Sequence, residues 1–172
     1  MVTVSKKICM VGDFGVGKTS LIRRFVEREF SDRYLSTVGV KISRKVVPLP
    51  PMDDVDELKL LIWDLEGQTK FKAITPTYLQ GSSGVLIVAD VTRPETIDHI
   101  EDHLQLFFGV NPAGWVAIAL NKTDLLDSDE RTHVQTSLEL NRPQILGPYL
   151  TSAKTGDNVD AIFTELAKEM LA

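Results

Sequence analysis

Gly12-Asp13-Phe14-Gly15-Val16-Gly17-Lys18-Thr19 has the spacing G-x-x-x-x-G-K-[ST]. It follows a branched apolar run, Ile8-Cys9-Met10-Val11, and precedes the helical pattern Leu21, Ile22, Phe25, Val26. Between a strand and a helix, this spacing describes a loop that cradles phosphates. Glycines let the backbone curl until successive N–H groups face one anion. A helix starting near Lys18 adds the positive end of its dipole. The Lys18 ammonium has the reach to meet the β- and γ-phosphates, and the Thr19 hydroxyl suits Mg²⁺. Gly15, Val16, Gly17 and Ser20 complete the candidate phosphate site. A glycine-rich turn with a surface lysine is the ordinary alternative, and the strand and helix on either side disfavour it.

Asn121-Lys122-Thr123-Asp124 directly follows a second apolar run, Val116-Ala117-Ile118-Ala119-Leu120. A carboxylate at 124 can accept from both N1–H and the 2-amino group of guanine. Adenine lacks that pair of donors and would leave the carboxylate unpaired, a mismatch that discriminates strongly. The stem of Lys122 can lie along the base plane, and Asn121 can pin neighbouring loops together. Ser152-Ala153-Lys154 follows the apolar segment Ile145 to Leu150, and the Ala153 N–H can meet a base carbonyl oxygen. Alone, the first pattern is matched evenly by a solvated loop after a strand, and the second is weaker still.

The elements that must position these residues have their own pattern. Leu60-Leu61-Ile62-Trp63 ends at Asp64, and Val85 to Ala89 ends at Asp90. With the two runs above, these read as strands buried on both faces of a parallel sheet. Their polar ends are where open α/β sheets bind ligands. Ile97, Ile100, Leu104 and Phe107 form one helix face. Val159, Ile162, Phe163, Leu166 and Met170 form another, capped by Asp157 or Asn158. Val40, Ile42 and Val46 alternate with Lys41, Ser43 and Lys45, which reads as a half-exposed edge strand. A loop is expected from Pro48 to Glu57, carrying Asp53, Asp54, Asp56 and Glu57. It is either a solubilising surface loop or a partner contact, and the former is the default. The whole is one doubly wound α/β domain over residues 1–172.

Composition excludes several classes. The chain has 172 residues, 43% hydrophobic and 25% charged, so it can bury a core and is not disordered. A net charge of −5 disfavours nucleic acid as a partner. Cys9 is the only cysteine, so an intrachain disulfide is impossible and a reducing compartment fits. No apolar run is long enough to cross a bilayer, and Asp13 ends the first run too early for a signal peptide. Val2 does not fit myristoylation, and Met170-Leu171-Ala172 offers no prenylation cysteine.

Taken together, the phosphate loop, Ser36-Thr37-Val38-Gly39-Val40, Trp63-Asp64-Leu65-Glu66-Gly67-Gln68, Asn121-Lys122-Thr123-Asp124 and Ser152-Ala153-Lys154 occur in one order. In that order the chain resembles the Ras superfamily of small GTPases along nearly its whole length. The stretch from Leu60 through Gln68, Phe71, Ile74, Thr75, Tyr78 and Gly81 is similar to the Rab-like branch. The resemblance implies a G domain: a six-stranded, mostly parallel sheet with one antiparallel edge strand, flanked by five helices. It implies a switch that hydrolyses GTP to GDP with Mg²⁺ and slow intrinsic turnover. Thr19 and Thr37 would ligate Mg²⁺, and Asp64 would act on it through water. The Gly67 N–H would meet the γ-phosphate and Gln68 would orient the attacking water. Phe30 would pack edge-on against guanine, and Tyr34 would cover the phosphates. Two loops would be ordered by the γ-phosphate and released by hydrolysis. An effector, an exchange factor and an activating protein are the implied partners of a monomeric, cytoplasmic chain, with any membrane contact peripheral and made through partners.

Two positions depart from that family. Phe14 stands where a small residue is usual, near the path of an activating arginine, so weak stimulation by an activator of that type is expected. Leu65-Glu66 replaces the usual Thr-Ala, and the Glu66 carboxylate is expected to turn to solvent, away from an anionic site. These departures favour an alternative, a scaffold that holds guanine nucleotide with little hydrolysis. An adenine-nucleotide kinase would leave Lys122 and Asp124 without a role. Among the remaining residues, Arg23, Arg24 and Arg28 read as a solvated helix face, and Trp115 as core or rim. His99 and His103, four apart on one helix, could hold a metal, but surface histidines are the plainer reading.

Overall fold

A computed structural model describes residues 2–31, 39–52, 54–65 and 75–172. In chain order these form β1 (Thr3–Val11), α1 (Lys18–Glu27), β2 (Val40–Met52), β3 (Val55–Leu65), α2 (Thr75–Leu79) and β4 (Gly84–Asp90). Then come α3 (Pro94–Asp98), α4 (Ile100–Val110), β5 (Trp115–Asn121), a 3₁₀ turn at Thr123–Leu125, α5 (Ser128–Thr136), β6 (Ile145–Leu150) and α6 (Val159–Glu169). α3 and α4 abut at His99 and together take the place of one helix, so the five expected helices are present. The sheet runs β2-β3-β1-β4-β5-β6. Only β2 and β3 pair antiparallel. This is the expected six-stranded architecture. Among the described residues no helix is long and apolar enough to cross a membrane.

The apolar runs are continuous because both faces of the sheet are covered. Ile8 and Met10 of β1 face α1 and α6 and pack with Leu21, Phe25, Ile162 and Phe163. Their neighbours Cys9 and Val11 turn to the opposite side and pack with Leu104 and Phe107 of α4. β4 is buried along its whole length. Parallel register then aligns the polar strand ends, with Met10 beside Asp64 and Asp90 beside Asn121. β1 lies between β3 and β4, so the chain leaves its end in one direction and later returns on the other side. That reversal opens the crevice above Val11.

β2 is the expected half-exposed edge strand. Its exposed side is the apolar one: Ile42 and Val46 are 48% and 43% exposed, while Val47 is buried. The covered face of β2 lies over α1. There Lys45 reaches across the Phe25 ring, 5.4 Å from its centre, and its stem covers apolar surface while its charge stays near water. Two other expectations about elements need correction. The expected loop from Pro48 to Glu57 is largely strand, since Pro48 pairs with Glu57 and Met52 with Val55. Prolines are tolerated there because β2 is an edge strand, and Asp54 accepts the left-handed conformation of a tight turn, with φ of 67°. At α6, Asn158 occupies the cap position but makes no side-chain cap. Its amide donates to the Leu150 carbonyl instead, at 2.8 Å.

α1, which starts at the phosphate loop, is fixed to α6 by the stacked rings of Phe25 and Phe163, 4.2 Å apart and 7° from parallel. Phe163 is fully buried. Phe163→Ala is expected to cost about 3–5 kcal/mol in urea unfolding at a fixed nucleotide concentration, and Phe163→Leu less.

Candidate functional site

The loop between β1 and α1 needs its glycines for conformation and for space. A Cβ on Gly12 would lie 2.3 Å from the Val88 carbonyl oxygen, and one on Gly17 would lie 2.3 Å from the Asn121 amide nitrogen. Gly17 also has φ of 103°, a region closed to most L side chains. The loop turns back over Lys18, which is buried at the start of α1. The Lys18 ammonium donates to the carbonyls of Gly12 and Asp13, both at 3.0 Å. Burial pushes this ammonium down, the carboxylates of Asp64 and Asp13 pull it partly back and Arg93 opposes them, leaving it at about 8. Such a cation gains strongly from an arriving anion.

The carbonyls on the outer side of the loop are held by side chains from the ends of other strands. Lys122 donates to the Gly15 carbonyl at 2.9 Å, and the Asn121 amide donates to that of Val16 at 3.0 Å. In a trans peptide the C=O and the following N–H point in opposite directions. Holding these two carbonyls outward therefore turns the N–H groups of Val16 and Gly17 to the other side.

Both clamps are themselves fixed. The Asn121 oxygen accepts from the Thr151 hydroxyl at 3.0 Å, at the end of β6. Lys122 pairs with Asp90 at 2.9 Å. Burial pushes the Asp90 carboxyl up, but hydrogen bonds from Thr92 and Lys122 outweigh it and hold the group below the usual carboxylate range. Asp90 thus stays ionised as the anchor of Lys122. One oxygen of Asp124 accepts from the Ser152 hydroxyl at 2.8 Å, which orients the carboxylate. The Ser152 oxygen in turn accepts from the Thr155 N–H at 3.1 Å.

Gly15, Gly17, Lys18, Thr19, Ser20, Phe30, Asn121, Lys122, Asp124, Ala153 and Lys154 line one cavity of about 300 Å³. Val16 and Ser152 are fully buried and do not line it. Phe30 lines the cavity while packing on the core cluster of α1 and α6, and Phe14 stands at the rim, 41% exposed. The Thr19 hydroxyl donates to Asp64 at 2.5 Å. A hydroxyl and a carboxylate side by side, next to the buried Lys18 ammonium, form the kind of hard-oxygen donor set that Mg²⁺ prefers. Tyr34, Thr37, Gly67 and Gln68, together with Glu66, lie outside the described residues.

Several side chains at the site escape a reading by sequence. Arg24 is not a solvated arginine. It donates to the Ala153 carbonyl at 2.7 Å and also to that of Lys154, bracing the loop opposite Asp124. Its spacing of four from Ser20 puts it on the helix face that carries the phosphate residues, which was the available signal. Arg23 and Arg28 do pair at the surface, with Glu27 and Glu29 and with Asp160 respectively. Asp90 was visible as the polar end of an apolar run. Among the described residues no group of three or more His, Cys, Asp or Glu could hold a metal; His99 and His103 instead both meet the Asp13 carboxylate of the glycine loop and are not plain surface residues. Their spacing placed them on one helix face but could not reveal Asp13 opposite.

Comparison with known proteins follows this geometry. The model of the Ras family matches residues 7–172. The chain is 33% identical over 166 residues to Ras-related protein Rab-13 of Canis lupus familiaris, covering 96% of this chain and 79% of that protein. It is 38% identical over 171 residues to Ras-related protein Rab-1 of Theileria annulata, covering 95% and 73%. It is 32% identical over 171 residues to GTP-binding protein ypt5 of Schizosaccharomyces pombe, covering 99% and 80%.

The histidine contacts carry a pH dependence. Burial pushes His103 below its ordinary 6.5, Asp13 pulls it back, and Lys18 and His99 push it down again. A depressed histidine binds a proton more readily unfolded than folded, so its contribution to stability is lost as pH falls below the unfolded value of 6.5. His103→Gln is expected to flatten the loss of stability between about pH 7 and pH 5. Urea unfolding at each pH, with nucleotide fixed, measures this; a slope unchanged by the substitution would contradict it.

Proposed function

Because the chain belongs to the Ras family of GTP-binding GTPases, we propose that residues 1–172 act as a single G domain and monomeric switch. It would bind GTP and GDP with Mg²⁺, hydrolyse GTP slowly, and control partner binding through two loops. The observation that carries this reading is the convergence of Lys18 and Thr19 with Asn121, Lys122 and Asp124 on one cavity. Asp124, oriented by Ser152, accepts from the N1–H and 2-amino group of guanine, and the Ala153 N–H meets the base carbonyl. The Lys122 stem runs along one base face and the edge of Phe30 closes on the base. The loop N–H groups and Lys18 take the phosphates.

Thr19 and Thr37 would hold Mg²⁺ through their hydroxyls, with the Asp64 carboxylate supporting the ion from beside Thr19. When bound, the ion neutralises charge on the β- and γ-phosphates. A water oriented by Gln68 attacks the γ-phosphorus in line. The bond to the β–γ bridging oxygen breaks, leaving GDP and inorganic phosphate. Lys18 and the Gly67 N–H meet the γ-phosphate as its charge shifts, while Tyr34 covers it from water. Loss of the γ-phosphate frees the segments around Thr37 and Gly67, and with them the surface that effectors read. Exchange factors and activating proteins act on the same loops, in the cytoplasm or at a membrane surface reached through partners.

A second reading is favoured by Phe14, whose ring stands at the cavity rim. In that reading the domain holds guanine nucleotide with very little turnover of its own, because the ring crowds the γ-phosphate as well as the path of an activating arginine.

Single-turnover hydrolysis separates the two. Protein loaded with GTP and freed of excess is expected to convert it to GDP over minutes to hours with Mg²⁺, on the order of the unstimulated family rate. GTP that persists for many hours supports the second reading. Gln68→Leu is expected to slow conversion by about tenfold or more while GTP remains bound. Asp124→Asn is expected to weaken GTP about a hundredfold and shift preference to xanthosine triphosphate. Unchanged base preference would refute the assignment of the pocket.

A further inference from the structure

Two clamps on the phosphate loop come from residues at the end of β5. A third comes from outside that set. Arg93 lies between β4 and α3, and both terminal nitrogens of its guanidinium donate to the Phe14 carbonyl, at 2.9 and 2.8 Å. The carbonyls of Phe14, Gly15 and Val16 are thus held in succession by Arg93, Lys122 and Asn121. By the same peptide geometry, the first of these turns the Gly15 N–H away from Arg93. Gly15 lines the cavity, and its φ of 73° is one that a glycine adopts freely.

Arg93 is built in rather than draped over the surface. Its own N–H donates to the Asp90 carbonyl at 3.0 Å, and its carbonyl accepts from the Thr96 hydroxyl at 2.8 Å. The Thr96 oxygen also accepts from the Asp90 N–H at 2.8 Å. Asp90 in turn anchors Lys122, so one short loop sets the positions of two clamps. Just beyond it, His99 and His103 grip the Asp13 side chain, the neighbour of Phe14. Glu95 lies 3.5 Å from the Arg93 side chain, and its own side chain is largely exposed.

We infer that Arg93 is a positioning residue of the phosphate site: by holding the Phe14 carbonyl it aims the Gly15 N–H at the phosphates of the bound nucleotide. The inference rests on the proposed function, since it presupposes a nucleotide in this cavity. Arg93 acts through the loop and not as a ligand. Its two donors converge on the one oxygen and fix its position more closely than a single lysine donor does.

The test uses wild type, Arg93→Ala, Arg93→Lys and Glu95→Gln, each loaded with GDP and Mg²⁺. Nucleotide dissociation is followed with a fluorescent analogue, and ³¹P NMR is recorded on the bound nucleotide. Arg93→Ala is expected to release nucleotide about tenfold faster and to shift a phosphate resonance. Arg93→Lys is expected to recover part of both effects, and Glu95→Gln to match wild type. Should Arg93→Ala fail to fold, Arg93→Lys against wild type carries the test, with a shifted ³¹P resonance as the expected result. A wild-type dissociation rate and spectrum in every folded Arg93 variant would overturn the inference while leaving the proposed function intact. Failure of the wild type to retain guanine nucleotide would instead overturn the proposed function, and the inference with it.

Discussion

A backbone can bind an anion through consecutive amides only if the matching carbonyls have somewhere else to go. This constraint organises the site. In the loop from Gly12 to Gly17 the helix takes up the Gly17 carbonyl, through the Leu21 N–H at 2.9 Å, and side chains meet the carbonyls before it. Lys18 reaches back to Gly12 and Asp13, and Lys122 and Asn121 meet Gly15 and Val16. Each clamp is supported in turn, Asn121 by Thr151 and Lys122 by Asp90. The ends of β4, β5 and β6 therefore help to shape the loop from Gly12 to Gly17 although none belongs to it.

The electrostatics follow the same plan. Lys18 is buried and its ammonium is held down to about 8. Its charge is tolerated through carbonyl contacts and the carboxylates of Asp64 and Asp13, and is better balanced by phosphate. Asp90 is nearly inaccessible, yet its hydrogen bonds keep it ionised. The result is a cavity whose cations face inward and whose buried acids stand behind them. A net charge of −5 therefore does not prevent the chain from offering a cationic site to an anion.

Rigid packing lets distant elements act as one support. The stacked Phe25 and Phe163 fix α1 to α6. Arg24 on the same helix holds the carbonyls of Ala153 and Lys154. The helix that begins at the glycine loop thus also braces the loop of Ala153 and Lys154, so the two ends of the cavity share one mechanical element.

The sequence by itself determined the type and order of the main elements and most of the cavity lining. Unbroken apolar runs ending in Gly12, Asp64, Asp90 and Asn121 mean buried parallel strands with polar ends on one edge. The residues of the phosphate loop and of Asn121 to Asp124 are contiguous, so their chemistry is written locally. Tertiary structure decided what depends on partners far away along the chain. Which side of β2 is covered could not be read from its alternation, since the lysine stem at 45 competes with Ile42 for the same description. Arg93 and Phe14 are 79 residues apart, and Arg24 and Ala153 are 129. His99 and Asp13 are 86 apart. An arginine or histidine on a helix face has the same local pattern whether it meets water or a carbonyl. Only the register of the sheet and the docking of helices on it bring the second partner within hydrogen-bonding distance.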